Sequence, residues 1–178
     1  ESEGDGQSAD STCQRGTWSS IGARTILKSW SSPEYGGSND EYLTPRGVVL
    51  LDFASVSEAE SAFNTIVQWG NGCRNRITEN GWEALNTSDV KAVKIATIGQ
   101  EAYGWEYIYR SGNEPTKDDG TFESFAVSRI DNRIAVAITT VLGQDQVNPL
   151  DEAEAKKIPI PPNPVVPILQ NSTIRLDF

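Results

Sequence analysis

Residues 47–73 constrain the fold more than any other stretch, because they predict a buried strand followed directly by an amphipathic helix. The strand, GVVLLDF, is apolar except for Asp52, a pattern that is typical of strands covered on both faces. Ser55 or Ser57 can cap the helix, and Glu58 favours its positive end. One apolar stripe follows at helical spacing, formed by Ala59, Ala62, Phe63, Ile66 and Val67. The stretch therefore predicts a helix that packs on a sheet and ends just before a cysteine.

Most of the remaining chain predicts antiparallel strands. Residues 121–130 and 133–142 form the clearest hairpin, because both runs are rich in β-formers and the residues between them, Asp131 and Asn132, tolerate a two-residue turn. Residues 17–30 fit a strand or a short helix, and their alternating apolar residues favour the strand. Further strands are predicted at 74–80, 91–98 and 102–111, and a second helix at 150–157.

This order of elements predicts an α+β fold, with a mainly antiparallel twisted sheet and two helices packed on one face. We expect an acidic flexible linker at 1–12, a single α+β domain at 13–158 and a proline-rich C-terminal extension at 159–178. The prolines between 159 and 167 argue against a regular helix or an interior strand there. The last residues, 173–178, fit an edge strand.

The sequence has two cysteines, Cys13 and Cys73, which are distant in sequence and belong to no CxxC motif. We predict that they form one disulfide, and two buried free thiols are the alternative. A disulfide implies an oxidising compartment, and the chain does not begin with methionine. We therefore expect a protein whose signal peptide has been removed, and which is secreted or held at the cell surface by an N-terminal lipid anchor.

The composition argues against several classes of function. A net charge of −10 argues against nucleic-acid binding, since phosphates require basic patches. The sequence has no histidine, which removes Ser-His-Asp and Cys-His catalysis and histidine-ligated metals. It contains no P-loop, no GxGxxG and no GxSxG motif. We therefore predict no catalytic residue, no metal and no cofactor, and we expect that the protein is not an enzyme.

The best candidates for ligand contact are aromatic side chains. Tyr103, Trp105, Tyr107 and Tyr109 alternate, so a strand would place all four on one face. Such a face can stack on a flat ligand or a sugar ring, with phenol hydroxyls that supply hydrogen bonds. The alternative is that the four rings pack beneath a helix as core. Trp82, in a predicted loop, is a fifth candidate, with plugging of the core edge as its alternative role.

Two segments resemble a known family of extracellular domains. The strand and helix at 47–73, with a tryptophan four residues before the cysteine, and the hairpin and helix at 122–158 are similar to the sensor domain of the mycobacterial PknH-type Ser/Thr kinases and of related actinobacterial lipoproteins. That family usually has a second disulfide around the late hairpin, whereas this chain has no cysteine there. The resemblance implies a curved antiparallel sheet, two helices, a cleft for an unidentified ligand and no enzymatic activity.

These observations lead to three hypotheses of function. The first is a non-catalytic, exported, sensor-like domain that binds a small molecule or a component of the cell envelope. The second is a protein-interaction module or inhibitor that binds through its proline-rich tail. The third is a carboxylate-based hydrolase, although a chain with 25 acidic residues brings many carboxylate pairs together by chance.

Overall fold

The centre of the structure is one antiparallel sheet. The computed structural model describes residues 2–3, 10–31, 46–84, 93–94, 98–112, 119–144 and 165–174. Within them the strands are β1 (Ser2–Glu3), β2 (Thr25–Ser31), β3 (Arg46–Asp52), β4 (Glu83–Ala84), β5 (Val93–Lys94), β6 (Glu101–Arg110), β7 (Asp119–Ile130) and β8 (Arg133–Gln144). The helices are α1 (Val56–Asn71), α2 (Cys73–Glu79) and α3 (Val165–Ile174). The strand order is β1-β2-β3-β8-β7-β6-β4, and β5 pairs with β6.

The predicted hairpin is confirmed, and it lies at the middle of the sheet. β7 and β8 are joined by Asp131 and Asn132, and Asp131 has a positive φ of 49°. β8 pairs with β3 on its other side, and successive residues from Ile134 to Ile138 are fully buried, so its apolar sequence is covered on both faces. Residues 17–30 contain both of the alternatives that the sequence left open, because a short 3₁₀ helix at Ser19–Ile21 precedes β2.

Helix α1 packs on one face of this sheet and begins where the sequence predicts. The Ser55 hydroxyl accepts a hydrogen bond from the Glu58 amide at 3.2 Å, and the Glu58 carboxylate accepts one from the Ala54 amide at 3.0 Å. The arrangement resembles a capping box, except that the carboxylate accepts from Ala54, the residue before the N-cap, and it satisfies backbone donors that the helix itself cannot. Four of the five residues of the predicted apolar stripe are buried against the core strands, together with Trp69, and the fifth, Val67, is partly buried.

The predicted disulfide is confirmed, and the free-thiol alternative is wrong. Cys13 and Cys73 are bonded, with Cα atoms 4.7 Å apart and both side chains fully buried. Residues 74–80, however, were predicted as a strand and instead form helix α2. Helical hydrogen bonding continues past Gly72, whose carbonyl accepts the Arg76 amide at 3.3 Å, and Ile77 is buried in the same core as α1. Two helices therefore share one face of the sheet.

The proline-rich extension contains a helix, so the prediction of a non-helical tail with an edge strand from residue 173 is wrong for the part that the structure describes. Helix α3 packs on the face opposite α1, where Leu169 is fully buried against small side chains that include Ala126 and Ala135. Pro167 is tolerated because it lies in the first turn, where backbone N–H groups have no intrahelical partner.

The α+β class, the mainly antiparallel sheet with two helices on one face, and the single disulfide are thus confirmed. The helix predicted at 150–157 lies outside the described residues. Of the strand predicted at 91–98, residues 93–94 form β5, and the strand predicted at 102–111 is β6.

Candidate functional site

Strand β6 places the four predicted aromatic residues on the face that α1 covers. Trp105, Tyr107 and Tyr109 are only 1%, 4% and 5% exposed, and Tyr103 is partly buried against the same core. The Trp105 indole N–H donates to the side-chain oxygen of Asn71 at 3.0 Å. The shared face is confirmed, but three of the four rings are core residues and have no surface to offer a ligand.

Trp105 and Tyr107 are buried because α1 approaches the sheet closely at Gly70. A side-chain carbon at this position would lie less than 3.0 Å from the Trp105 ring, and the Tyr107 hydroxyl donates to the Gly70 carbonyl at 3.4 Å. The sequence could not reveal this approach, because a glycine near a helix end is also the usual signal for its termination.

Gly70→Ala is therefore expected to lower the free energy of unfolding by about 1–3 kcal/mol, because the added methyl group overpacks the indole. Chemical denaturation followed by circular dichroism measures the loss. Gln68→Ala, at an exposed position of the same helix, is the control and should change stability by less than about 0.5 kcal/mol. Equal midpoints for the two variants would contradict the close contact.

Trp82 is a second aromatic candidate, besides Tyr103, that remains partly exposed. It follows α2, where Gly81 has a φ of +75°, the Gly81 amide donates to the Thr78 carbonyl at 2.9 Å and the Trp82 amide donates to the Ile77 carbonyl at 3.1 Å. These two bonds form a Schellman motif, which ends the helix and fixes the direction of the chain. The indole then stacks on Tyr109, with ring centroids 5.1 Å apart and planes inclined by 5°.

A polar cluster that the sequence did not predict lies beside this stack. It consists of Glu123 on β7 and a segment that we call the N-terminal strap, Asp10–Cys13. The Ser11 hydroxyl donates to the Glu123 carboxylate, and the Thr12 amide donates to it at 3.1 Å. The Thr12 and Tyr109 hydroxyls share a hydrogen bond of 2.8 Å. Glu123 is 4% exposed, so the strap covers a buried carboxyl group.

Both ends of the strap are held independently of Glu123. The Asp10 carboxylate accepts from Lys28 at 2.7 Å and from the Trp18 indole N–H at 2.6 Å, while Cys13 forms the disulfide. The Asp10 and Lys28 side chains are 9% and 6% exposed. Residues 10–12 were predicted as part of a flexible acidic linker. That prediction is wrong for them, because each side chain bonds to a different strand of the sheet.

Burial determines the acid–base properties of the cluster. Desolvation raises the pKa of the Glu123 carboxyl, and hydrogen bonds from Ser11, Thr12 and Tyr109 oppose that rise only in part. Desolvation, followed by the nearby Glu123 carboxylate, raises the pKa of the Tyr107 hydroxyl well above its ordinary value. The oxygens of the Glu123 carboxylate already accept hydrogen bonds from the strap. The described residues also hold no group of three or more side chains suited to a metal ion.

The alternation of β7 contained a signal for Glu123. Phe125 and Val127 face the α1 side, and a period of two places Glu123 on that same face. Glu123 did not stand out among the 25 acidic residues of the sequence. The strap residues that cover it had been assigned to a flexible linker, so no partner for it was expected.

No protein-family model matches the sequence, and a search of curated proteins finds no match to it. The similarity to the PknH-type sensor domain therefore remains a prediction. Among the described residues, no helix is long and apolar enough to cross a membrane.

Proposed function

We propose that this protein is an exported, non-catalytic domain that binds a small molecule or a component of the cell envelope, as a sensor domain or a surface lipoprotein does. The main support is the partly exposed Trp82 ring, which is held in a fixed orientation by the Schellman motif and by Tyr109. A rigid aromatic surface suits binding, because little conformational freedom is lost when a ligand stacks on it. Tyr103, also partly buried, is the other predicted contact residue that retains exposed surface.

The compartment is supported by the disulfide. A buried bridge between Cys13 and Cys73 suggests an oxidising, extracellular environment, since cytosolic thiols are usually kept reduced.

Neither alternative function gains support from a particular observation. An interaction through the proline-rich tail could not use residues 165–174 as a free peptide, because they form α3 and Leu169 is buried in the core. A carboxylate-based hydrolase needs an accessible pair of carboxyl groups, whereas the carboxyl group with the raised pKa, Glu123, is enclosed by Ser11 and Thr12.

The test is a thermal-shift screen with peptidoglycan fragments, lipids and small metabolites. We expect at least one of these probes to raise the melting temperature, and Trp82→Ala to weaken that binding by about tenfold or more. Trp30→Ala is the matched control, because Trp30 is a 45% exposed tryptophan on β2, near the opposite edge of the sheet from β4 and β6. The proposal fails if no probe shifts the melting temperature, or if Trp30→Ala abolishes binding and Trp82→Ala does not.

A further inference from the structure

Two arginines meet a single carboxylate beside the disulfide. The Arg15 Nη2 atom lies 3.7 Å from one oxygen of Glu79, and the Arg76 Nη1 atom lies 3.9 Å from the other. Both separations exceed the about 2.7–2.9 Å of a charge-assisted hydrogen bond, so Glu79 attracts the guanidinium groups without accepting a strong bond from either. Among the described residues, the buried Arg76 Nε atom also has no hydrogen-bond partner. The fold therefore leaves N–H donors of this pair unsatisfied.

The balance of charge at this place differs from that at other ion pairs in the part of the chain that the structure describes. Arg133 pairs with Asp52, and Arg129 pairs with two glutamates. Glu79, in contrast, is shared by two cations. This group of three side chains therefore carries one positive charge in excess, in a chain whose net charge is −10.

The same two cations belong to the surface that presents Trp82. The Cys13–Cys73 bridge joins the segments that carry them. Arg15 follows the first cysteine by two residues, and Arg76 follows the second by three. The Trp82 amide donates to the carbonyl of the residue directly after Arg76. On the other side of the bridge, the residue before Cys13 shares a hydrogen bond with the tyrosine on which the indole stacks. One ligand can thus contact the indole and the cations together.

This combination of groups suits an acidic saccharide. The planar fork of a guanidinium group matches the two oxygens of a carboxylate. One face of the Trp82 indole lies on Tyr109, so a sugar ring would stack on the opposite face. A membrane surface, in contrast, is typically met by about four to eight clustered basic residues, whereas Arg15, Arg74 and Arg76 are three.

We propose that the ligand is an acidic saccharide, whose carboxylate binds Arg15 and Arg76 while one of its rings stacks on Trp82. This inference rests on the function proposed above and narrows its ligand to an anionic sugar. Glu79 holds the two guanidinium groups near each other, and the ligand carboxylate supplies the second negative charge that the two cations lack. The arginines thus select for charge, whereas the indole contributes affinity that acidic and neutral sugars share.

Isothermal titration calorimetry tests this preference, with oligosaccharides of glucuronic or galacturonic acid and peptidoglycan fragments that contain muramic acid. Each probe is compared with its methyl ester, which keeps the rings and removes the charge. We expect at least one acidic probe to bind about tenfold or more tightly than its ester. Arg15→Gln/Arg76→Gln should lose about tenfold or more in affinity for that acid and should bind the ester as wild type does.

Arg133→Gln is the matched control, because the Arg133 side chain is 39% exposed, as are those of Arg15 and Arg76, and it pairs with Asp52 away from this surface. Its affinity for the acidic probe should equal that of wild type. Trp82→Ala should weaken the acid and the ester alike, since both present the same ring.

The outcomes separate this inference from the function on which it rests. Equal affinity for acids and esters, with Trp82→Ala still weakening both, would overturn the acidic preference and leave the proposed function in place. A double variant that loses no more affinity than Arg133→Gln would overturn it in the same way. Binding to phosphatidylglycerol vesicles but to no acidic saccharide would also overturn it. If neither these probes nor those of the thermal-shift screen bind, both proposals fail.

Discussion

Removal of the Cys13–Cys73 disulfide is expected to lower the free energy of unfolding by roughly 4 kcal/mol, from the entropy of closing a loop with a sequence separation of 60 residues. Alanine is the better replacement at both positions, because a serine hydroxyl would be buried at two fully buried sites. Urea denaturation of Cys13→Ala/Cys73→Ala and of wild type measures the difference. Wild type under a reducing agent is the matched control and should lose a similar amount. A loss of less than about 1 kcal/mol in both samples would contradict this contribution of the bridge to stability.

Trp105→Ala is expected to cost about 3–5 kcal/mol, because it removes a ring that is 1% exposed and leaves a cavity beneath α1. The loss includes the contact with Phe125, whose ring centroid lies 5.6 Å away, and the hydrogen bond to Asn71. Circular dichroism in urea is the suitable measurement, since fluorescence would itself change with the loss of a tryptophan.

Trp30→Ala provides the comparison for this variant, because the Trp30 ring is 45% exposed. Its loss should cost less than about 1 kcal/mol. If Trp105→Ala were as mild as Trp30→Ala, the aromatic face of β6 would be a site rather than core. That result would restore the ligand-binding role that the sequence suggested for the stripe.

Local patterns were sufficient to predict the central elements. β3, α1 and the β7–β8 hairpin each have one dominant periodicity and clear turn or cap residues, such as Ser55 and Asp131. Two predictions failed because the position of a residue in the fold overrode its local secondary-structure preference. The β-forming residues around Ile77 became helical because α2 continues directly from α1 through Gly72, and Pro167 entered a helix because it lies in the first turn.

The candidate site was predictable only in part. The alternation of β6 predicted that its aromatic side chains share a face, but not whether a helix covers that face. The answer depends on Gly70, more than 30 residues away in sequence, whose missing side chain allows α1 to reach Trp105. The strap was missed for a similar reason. Its polar residues are typical of linkers, and only their long-range partners, Lys28 and Glu123, explain their burial.

The disulfide also determines how the domain would respond to tension between the two ends of its chain. Force entering from the N-terminal side reaches Cys13 and passes through the covalent bridge to Cys73, so it bypasses the loop between them. That loop contains β2, β3 and α1, whose backbone therefore lies outside the covalent path of the force while the bridge is intact. Under tension the bridge would shield a third of the fold from mechanical unfolding, and its reduction would place the two strands and the helix back in the line of force.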